Sequence, residues 1–166
     1  MHFFDQVLIL SAAEKYDTDD YGNAWQHVTN TAFQLGHNGW SEDACVSLWG
    51  DVAAEHGAAN CRAALGRMHA QTAELFAAMK AQPSTFRPLE HCFELYGLDF
   101  LIDEDFGVWF LEANPGPDFK QTGGGLKCVI ERLLDESAAI VLGEGDREAD
   151  GDSWFTKVFS ESWVNK

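Results

Sequence analysis

One stretch of the chain, residues 93–120 (FELYGLDFLIDEDFGVWFLEANPGPDFK), constrains the fold more than any other. It contains two runs rich in aromatic and aliphatic residues, 93–103 and 108–114, separated by a short polar turn that ends in glycine. This pattern is typical of a β-hairpin. The chain must therefore contain an antiparallel pair of strands, and a helix is needed to cover one of its faces.

The register of this hairpin decides which side chains face each other. A loop of two or four residues pairs Leu101 with Phe110 and Asp99 with Glu112. Asn114 then lies on the same face as Glu112, two residues further along the strand. A loop of three or five residues shifts the pairing by one position and removes the opposition of the two acids.

Opposed carboxylates repel each other, because their Cβ atoms are only about 5 Å apart in such a pair. A divalent cation compensates for this repulsion. Mg²⁺ is typically held by one or two carboxylates together with substrate phosphates, and the Asn114 amide adds a neutral oxygen ligand. The spacing thus suggests a metal-nucleotide site at Asp99, Glu112 and Asn114. The alternative is a polar hairpin face whose two carboxylates are simply solvated.

The two faces of the hairpin are expected to differ in burial. Leu101 and Phe110 share the carboxylate face and shield it partly from water, which strengthens charge interactions there. The opposite face is expected to be buried, and it carries Cys92, Tyr96, Leu98, Phe100, Ile102, Trp109, Leu111 and Ala113.

Two segments carry a resemblance to a known family. The run GLDFLIDEDFGVWFLEANPGP (residues 97–117) resembles the end of the catalytic domain of the tubulin tyrosine ligase family, and residues 27–30 (HVTN) are similar to that family's HLTN motif. The resemblance covers roughly residues 6–142, and the sequence from Asn114 onward is closer to the fungal and plant branch. It implies an ATP-grasp fold.

The resemblance also implies an activity: ATP-dependent joining of an amino acid to a protein carboxylate through an acyl phosphate. The expected cofactors are ATP and Mg²⁺, and the expected partners are a free amino acid and a protein acceptor, with tubulin as a candidate. Asp99, Glu112 and Asn114 are then the catalytic residues that hold the magnesium ions bridging the ATP phosphates.

Further residues are implied to bind the cofactor. By the resemblance, His27, Thr29 and Asn30 approach the nucleotide or the phosphorylated intermediate. Without the hairpin match, the same four-residue motif would be interpreted as an ordinary extended segment. Lys120 is the one cation near the acidic hairpin, and we expect it to contact phosphate.

A full ligase domain of this family also has lysines that neutralise the α- and β-phosphates, an adenine pocket and arginines that position the acceptor. None of these precedes Met1, so we expect an incomplete domain that is inactive, or a poor catalyst, by itself. The alternative function is a non-catalytic interaction or regulatory remnant of the ligase fold.

Composition excludes several classes of protein. The chain has 27 Asp plus Glu against 11 Lys plus Arg, a formal net charge of −16, so its field repels nucleic acid and anionic membranes. With 46% hydrophobic residues the chain is globular rather than disordered. No apolar stretch approaches the roughly 18 residues of a membrane span, and we expect a soluble cytoplasmic protein with free thiols.

Helical patterns fill the rest of the chain. Ser41 is the expected N-cap of a helix that runs to about Glu55, and further helices are predicted over 58–82 and 126–142. The fold class is therefore α+β: the C-terminal lobe of an ATP-grasp domain, with a mainly antiparallel sheet flanked by helices. We expect the domain over residues 1–142, an acidic loop over 143–153, and a C-terminal segment, 154–166, that docks on the core.

Overall fold

A computed structural model describes residues 1–82, 84, 86, 87, 89, 92–117, 119, 126–143 and 153–160. Within them the fold is α+β, as predicted, and the elements in chain order are β1 His2–Phe4, β2 Leu8–Leu10, α1 Ala24–His27, α2 Thr31–Gln34, α3 Glu42–Cys45, β3 Val46–Leu48, α4 Trp49–His56, α5 Ala58–Lys80, β4 Tyr96–Ile102, β5 Val108–Pro115, α6 Lys127–Leu142 and β6 Phe155–Lys157. The helices among these residues are not long and apolar enough to cross a membrane.

The strands are antiparallel, but they do not form one sheet. In the described part of the chain they make three separate two-stranded ladders, β1 with β6, β2 with β3, and β4 with β5. The predicted antiparallel strand direction is thus confirmed, whereas the described strands do not form the predicted single sheet. The assignment to the ATP-grasp fold stays a prediction.

The chain divides into two compact units. The first comprises residues 1–5 together with 59–166, and the second comprises residues 6–58. Each unit is described by itself below. The predicted boundaries at 142 and 153 stay predictions, and residues 144–152 and 161–166 lie outside the described part of the chain.

In the second unit, the predicted single helix from Ser41 to about Glu55 is wrong. Ser41 does cap a helix, because its Oγ accepts a hydrogen bond from the backbone N–H of Ala44 at 3.3 Å, but that helix ends at Cys45. The next three residues form β3, which pairs with β2. Pairing with a distant strand therefore overrides the helical pattern, and α4 starts only at Trp49 and ends before Gly57.

In the first unit, α5 supports the hairpin of β4 and β5. Its buried positions, Cys61, Ala64, Met68, Thr72 and Phe76, recur at steps of three and four residues. The predicted helix over 58–82 is thus confirmed, and it ends at Lys80. The Arg67 guanidinium donates to the Phe106 carbonyl at 2.7 Å, and the Gln71 amide donates to the Val108 carbonyl at 2.8 Å.

The strand β6 returns to the start of the chain and is held there by a buried carboxylate. It pairs with β1, and the Phe155 ring lies 5.0 Å from that of Phe4. Glu136 of α6 is only 2% exposed. It accepts hydrogen bonds from Arg132 Nε at 2.6 Å, the Trp154 N–H at 2.9 Å and Ser153 Oγ at 3.0 Å.

Burial alone would raise the pKa of Glu136. The hydrogen bonds from Arg132, Trp154 and Ser153, together with the Arg132 charge, outweigh it, and the pKa of Glu136 is lowered. The carboxylate is therefore ionised in the folded protein, and charge-assisted hydrogen bonds join α6 to Ser153 and Trp154, the two residues before β6.

Candidate functional site

The hairpin turn is a three-residue loop between Asp103 and Gly107. The Asp103 N–H donates to the Gly107 carbonyl at 3.0 Å, and the Phe106 N–H donates to the Asp103 carbonyl at 3.0 Å. Phe106 lies in the left-handed region with φ 60°. This geometry is the turn followed by a left-handed residue that three-residue hairpin loops adopt.

The Asp103 carboxylate holds this turn together. It accepts the N–H groups of Gly107 at 2.6 Å and Asp105 at 3.1 Å, and the indole N–H of Trp109 at 3.0 Å. The Trp109 hydrogen bond, followed by that from Gly107, lowers the pKa of Asp103. Asp103 thus has a structural role in the turn.

A three-residue loop shifts the strand pairing by one, and a β-bulge shifts it back. On the turn side of the hairpin the register pairs Ile102 with Val108, Leu101 with Trp109 and Phe100 with Phe110. Between Asp99 and Phe100 the register changes, so that Leu111 is the extra residue. Beyond the bulge, Asp99 pairs with Glu112. The predicted pair of acids is therefore correct, whereas the predicted pair Leu101–Phe110 is wrong.

The bulge also changes which side chains of β5 are buried. Trp109 and Leu111, both predicted to be buried, are 60% and 59% exposed. Phe110, predicted on the carboxylate face, instead packs edge-on against Phe100 of the core face at 5.6 Å. The prediction failed because strict alternation assumes a ladder without an inserted residue.

The three predicted metal ligands lie together on the exposed face of the hairpin. Asp99, Glu112 and Asn114 are all solvent-exposed residues, and the Asn114 amide donates to Glu112 Oε1 at 3.2 Å. The pKa of Asp99 is raised, first because its carboxyl group is partly desolvated, then through a hydrogen bond and charge repulsion from Glu112. Since the residue as a whole is exposed, solvent screening keeps this repulsion modest.

Asp99, Glu112 and Asn114 could supply only some of the ligands that a metal ion needs. Among the described residues, no group of three or more His, Cys, Asp or Glu side chains could hold a metal ion. The hairpin offers two carboxylates and one amide, so a Mg²⁺ ion there would take its remaining ligands from water or a substrate. The Asn114 amide must also rotate, because its NH₂ group points at Glu112 and only its oxygen can bind a metal.

Residues 27–30, the second predicted part of the site, belong to the unit of residues 6–58. His27 Nε2 lies 2.8 Å from the Asp20 carbonyl oxygen and therefore donates to it. The Asn30 side chain is the N-cap of α2 and accepts the Phe33 N–H at 3.3 Å. Thr29 is exposed. Two of these three side chains thus make local structural contacts.

Gln34 fixes the backbone of this segment, and sequence reasoning missed it. The residue is fully buried at 0% exposure, and its amide nitrogen donates to the carbonyls of Val28 at 2.6 Å and Trp25 at 3.1 Å. Its oxygen accepts the Ala13 N–H at 3.1 Å. The sequence pattern offered no signal for this burial, because α2 has only four residues and contains a second polar residue, Thr31. Lys120, the remaining predicted contact, lies outside the described residues.

Comparison with known proteins identifies the family. The family model described as "Tubulin-tyrosine ligase family" matches residues 1–148. The chain belongs to the tubulin-tyrosine ligase family. This confirms the resemblance inferred from the two motifs.

Individual relatives agree with this assignment. The chain is 34% identical over 162 residues to a probable tubulin–tyrosine ligase of Schizosaccharomyces pombe. The aligned region covers 94% of this chain and 38% of that relative. It is 35% identical over 145 residues to the probable tubulin–tyrosine ligase PBY1 of Saccharomyces cerevisiae, covering 81% of this chain and 19% of that protein. A tubulin glycylase of Tetrahymena thermophila is 22% identical over 157 residues, 90% of this chain and 15% of its own length. The chain therefore spans less than two fifths of each of these relatives.

Proposed function

We propose that the chain forms part of an ATP- and magnesium-dependent ligase that joins an amino acid to a carboxylate of a protein. Family membership supports the class of reaction, and the names of the relatives, tubulin–tyrosine ligase and tubulin glycylase, make tubulin the candidate acceptor. Which amino acid is joined is left open, because the named relatives differ on this point.

One observation carries the proposal: the bulge at Leu111 sets Asp99 directly opposite Glu112 although the loop by itself would separate them. The hairpin thereby holds two like charges together on an exposed face, at a cost that a bound Mg²⁺ ion removes. In this proposal Asp99, Glu112 and the Asn114 oxygen hold the ion. Bound there, Mg²⁺ would offset the negative charge of the ATP phosphates.

The remaining chemistry follows from the reaction class. The acceptor carboxylate takes up the γ-phosphoryl group of ATP and ADP leaves, and the amine of the amino acid then displaces phosphate from the acyl phosphate to form the amide. His27, Thr29 and Asn30 are proposed to lie near the nucleotide or this intermediate, and Lys120 near a phosphate.

The test is a titration of the whole chain with Mg²⁺ and with Mn²⁺, each with and without ATP, by calorimetry and by the relaxation of water protons around bound Mn²⁺. The key variants are Asp99→Asn and Glu112→Gln, which remove one ligand charge each with little change in shape. The matched control is Glu104→Gln in the hairpin turn, which removes the same charge from the same exposed hairpin.

We expect ATP-dependent Mn²⁺ binding to weaken at least about tenfold in both ligand variants, because each loses a charged metal ligand. Glu104→Gln should bind as the unaltered chain does. Equal binding in all four proteins would show that the ion is held only by the general charge of the chain, and the proposed site would be refuted. The interaction or regulatory remnant would then be the better description.

A further inference from the structure

His37, in the unit of residues 6–58, makes a hydrogen bond through each of its ring nitrogens. Nε2 lies 2.8 Å from Glu14 Oε1, and Nδ1 lies 3.0 Å from the backbone nitrogen of Gly39. A neutral imidazole has one nitrogen that donates and one that accepts. Because the Gly39 N–H can only donate, Nδ1 is the acceptor. The proton of the neutral ring is therefore on Nε2, which donates to Glu14.

The surroundings of the His37 ring hold it in this orientation. The side chain is only 21% exposed, and the Trp25 ring of α1 lies 5.2 Å from it. Gly39 comes so close that a Cβ there would lie 3.1 Å from the ring carbon Cε1. Glycine at this position therefore permits the close approach of backbone and ring on which the bond to Nδ1 depends.

Among the described residues, Glu14 supplies the charge that contacts the ring. Its Oε2 accepts a hydrogen bond from Asn23 Nδ2 at 2.7 Å. The hydrogen bonds from Asn23 and then from His37 lower the pKa of Glu14. This carboxylate is therefore charged throughout the range of about pH 5–8 in which histidine ordinarily titrates. The titratable residue of α1, His27, donates instead to the Asp20 carbonyl.

We propose that His37 is a pH-sensitive switch for the turn of residues 37–40. Protonation places a hydrogen on Nδ1, directly opposite the Gly39 N–H, and two donors cannot bond to each other. The bond to Gly39 must therefore break. The contact of Nε2 with Glu14 becomes a charge-assisted hydrogen bond and keeps the ring in place. In acid, the backbone at Gly39 thus moves away from a ring that stays anchored.

The turn that opens lies between two helices of this unit. The Trp40 N–H donates to the His37 carbonyl at 3.1 Å, and the next residue, Ser41, is the N-cap of α3. The switch therefore changes the backbone directly before α3. It involves neither ATP nor Mg²⁺, so it is independent of the proposed ligase function.

The test is NMR of the whole ¹⁵N-labelled chain across about pH 5–8. The ring nitrogen shifts of His37 report which nitrogen carries a proton. Scalar coupling between the Gly39 nitrogen and Nδ1, across the N–H···N hydrogen bond, reports the bond itself. A third readout is the exchange rate of the Gly39 amide with water, divided by that of an unstructured glycine amide at the same pH.

At the alkaline end the ring proton should be on Nε2, and the coupling should be present. As the ring takes up its second proton, the coupling should disappear. The relative exchange rate of Gly39 should then rise roughly three- to tenfold, which corresponds to the loss of one hydrogen bond.

Two variants separate this switch from a general effect of pH. His37→Asn places an amide oxygen near the position of Nδ1, which accepts the Gly39 N–H at every pH, so the relative exchange rate should no longer depend on pH. The matched control is His56→Gln, which removes another histidine of the same unit, one whose side chain is 52% exposed. In this variant the response of Gly39 should be unchanged.

The proposal is overturned by any of three results: a ring proton on Nδ1 at the alkaline end, a Gly39 exchange rate that does not follow protonation of His37, or the same pH response in His37→Asn as in the unaltered chain. The first two measurements need no variant, so a misfolded variant leaves the test intact.

Discussion

The opposition of Asp99 and Glu112 makes a quantitative prediction about stability. Replacing Asp99 with Asn, or Glu112 with Gln, removes one of two like charges that face each other across the strands. Without a bound metal, each replacement should therefore stabilise the fold. This is the reverse of what is usual for substitutions at a structural site.

The size of the effect follows from the exposure of the pair. Two unit charges about 5 Å apart in a water-like environment repel by about 0.8 kcal/mol. Cross-strand pairs contribute about 0.2–1 kcal/mol, which agrees with this value. We therefore expect each variant to gain about 0.5–1 kcal/mol, or about 1–4 °C in melting temperature for a chain of this size.

The pH dependence has a definite sign. The pKa of Asp99 is raised in the folded protein, so the folded state holds this proton more tightly than the unfolded chain does. Its contribution to stability thus falls as the pH rises from the ordinary value through the raised pKa, and above that range the full penalty is present. The advantage of Asp99→Asn should be complete at neutral pH and vanish in acid, where Asp99 is protonated in both states.

The assay is thermal unfolding followed by circular dichroism, with a chelator present, for the two variants, the double variant and Glu104→Gln. The double variant should be hardly more stable than either single variant, since the second replacement has no charge left to relieve. Added Mg²⁺ with ATP should reverse the ranking by stabilising the unaltered chain. Single variants that are destabilised, or gains that simply add in the double variant, would refute the idea that these carboxylates face each other.

Four further predictions concern the hairpin and its surroundings. Gly107→Ala should cost about 1–3 kcal/mol in urea unfolding, because a Cβ there would overlap the Asp103 carboxylate that holds the turn, and a loss below about 0.5 kcal/mol would contradict this role. Deleting Leu111 should leave the two carboxylates opposed, because the pairing from the turn then continues without a bulge, and cross-strand NMR contacts that move to other residues would contradict this register. Glu136→Gln should cost about 1.5–3 kcal/mol at neutral pH, and this cost should disappear as the pH falls below about 4.5 through the lowered pKa, whereas a difference that persists in acid would exclude the charge as its cause. Tyr96 should ionise at a pKa of about 12 in an absorbance titration, so stability should fall between the ordinary value of 10.0 and about 12, and Tyr96→Phe should lack both effects.

The sequence by itself determined the elements with a strong local period. The stripe on α5 and the span of α6 follow from apolar residues at steps of three and four, a signal that each helix carries within itself. The hairpin and the family were also within its reach, whereas the opposition of Asp99 to Glu112 was expected only for a loop of two or four residues. The motif is long, and its strands are rich in residues that favour β structure.

Only the tertiary structure decided how the hairpin achieves this opposition. The loop has three residues, and a regular ladder that continues from such a loop does not pair the two acids. The bulge at Leu111 restores the pairing, while Phe110 packs inward against Phe100 and Trp109 faces solvent. The position of a β-bulge cannot be predicted from the alternation of apolar and polar residues, because it depends on which side chains the rest of the core buries.

The same reason explains β3 and Gln34. Residues 46–48 continue a helical pattern, yet they pair with β2, a strand some forty positions earlier in the chain. Gln34 is buried because three backbone groups from other segments need its amide. The local sequence carries the periodicity of the buried residues of a helix or strand. Contacts between residues that are distant in the chain form only when the chain folds.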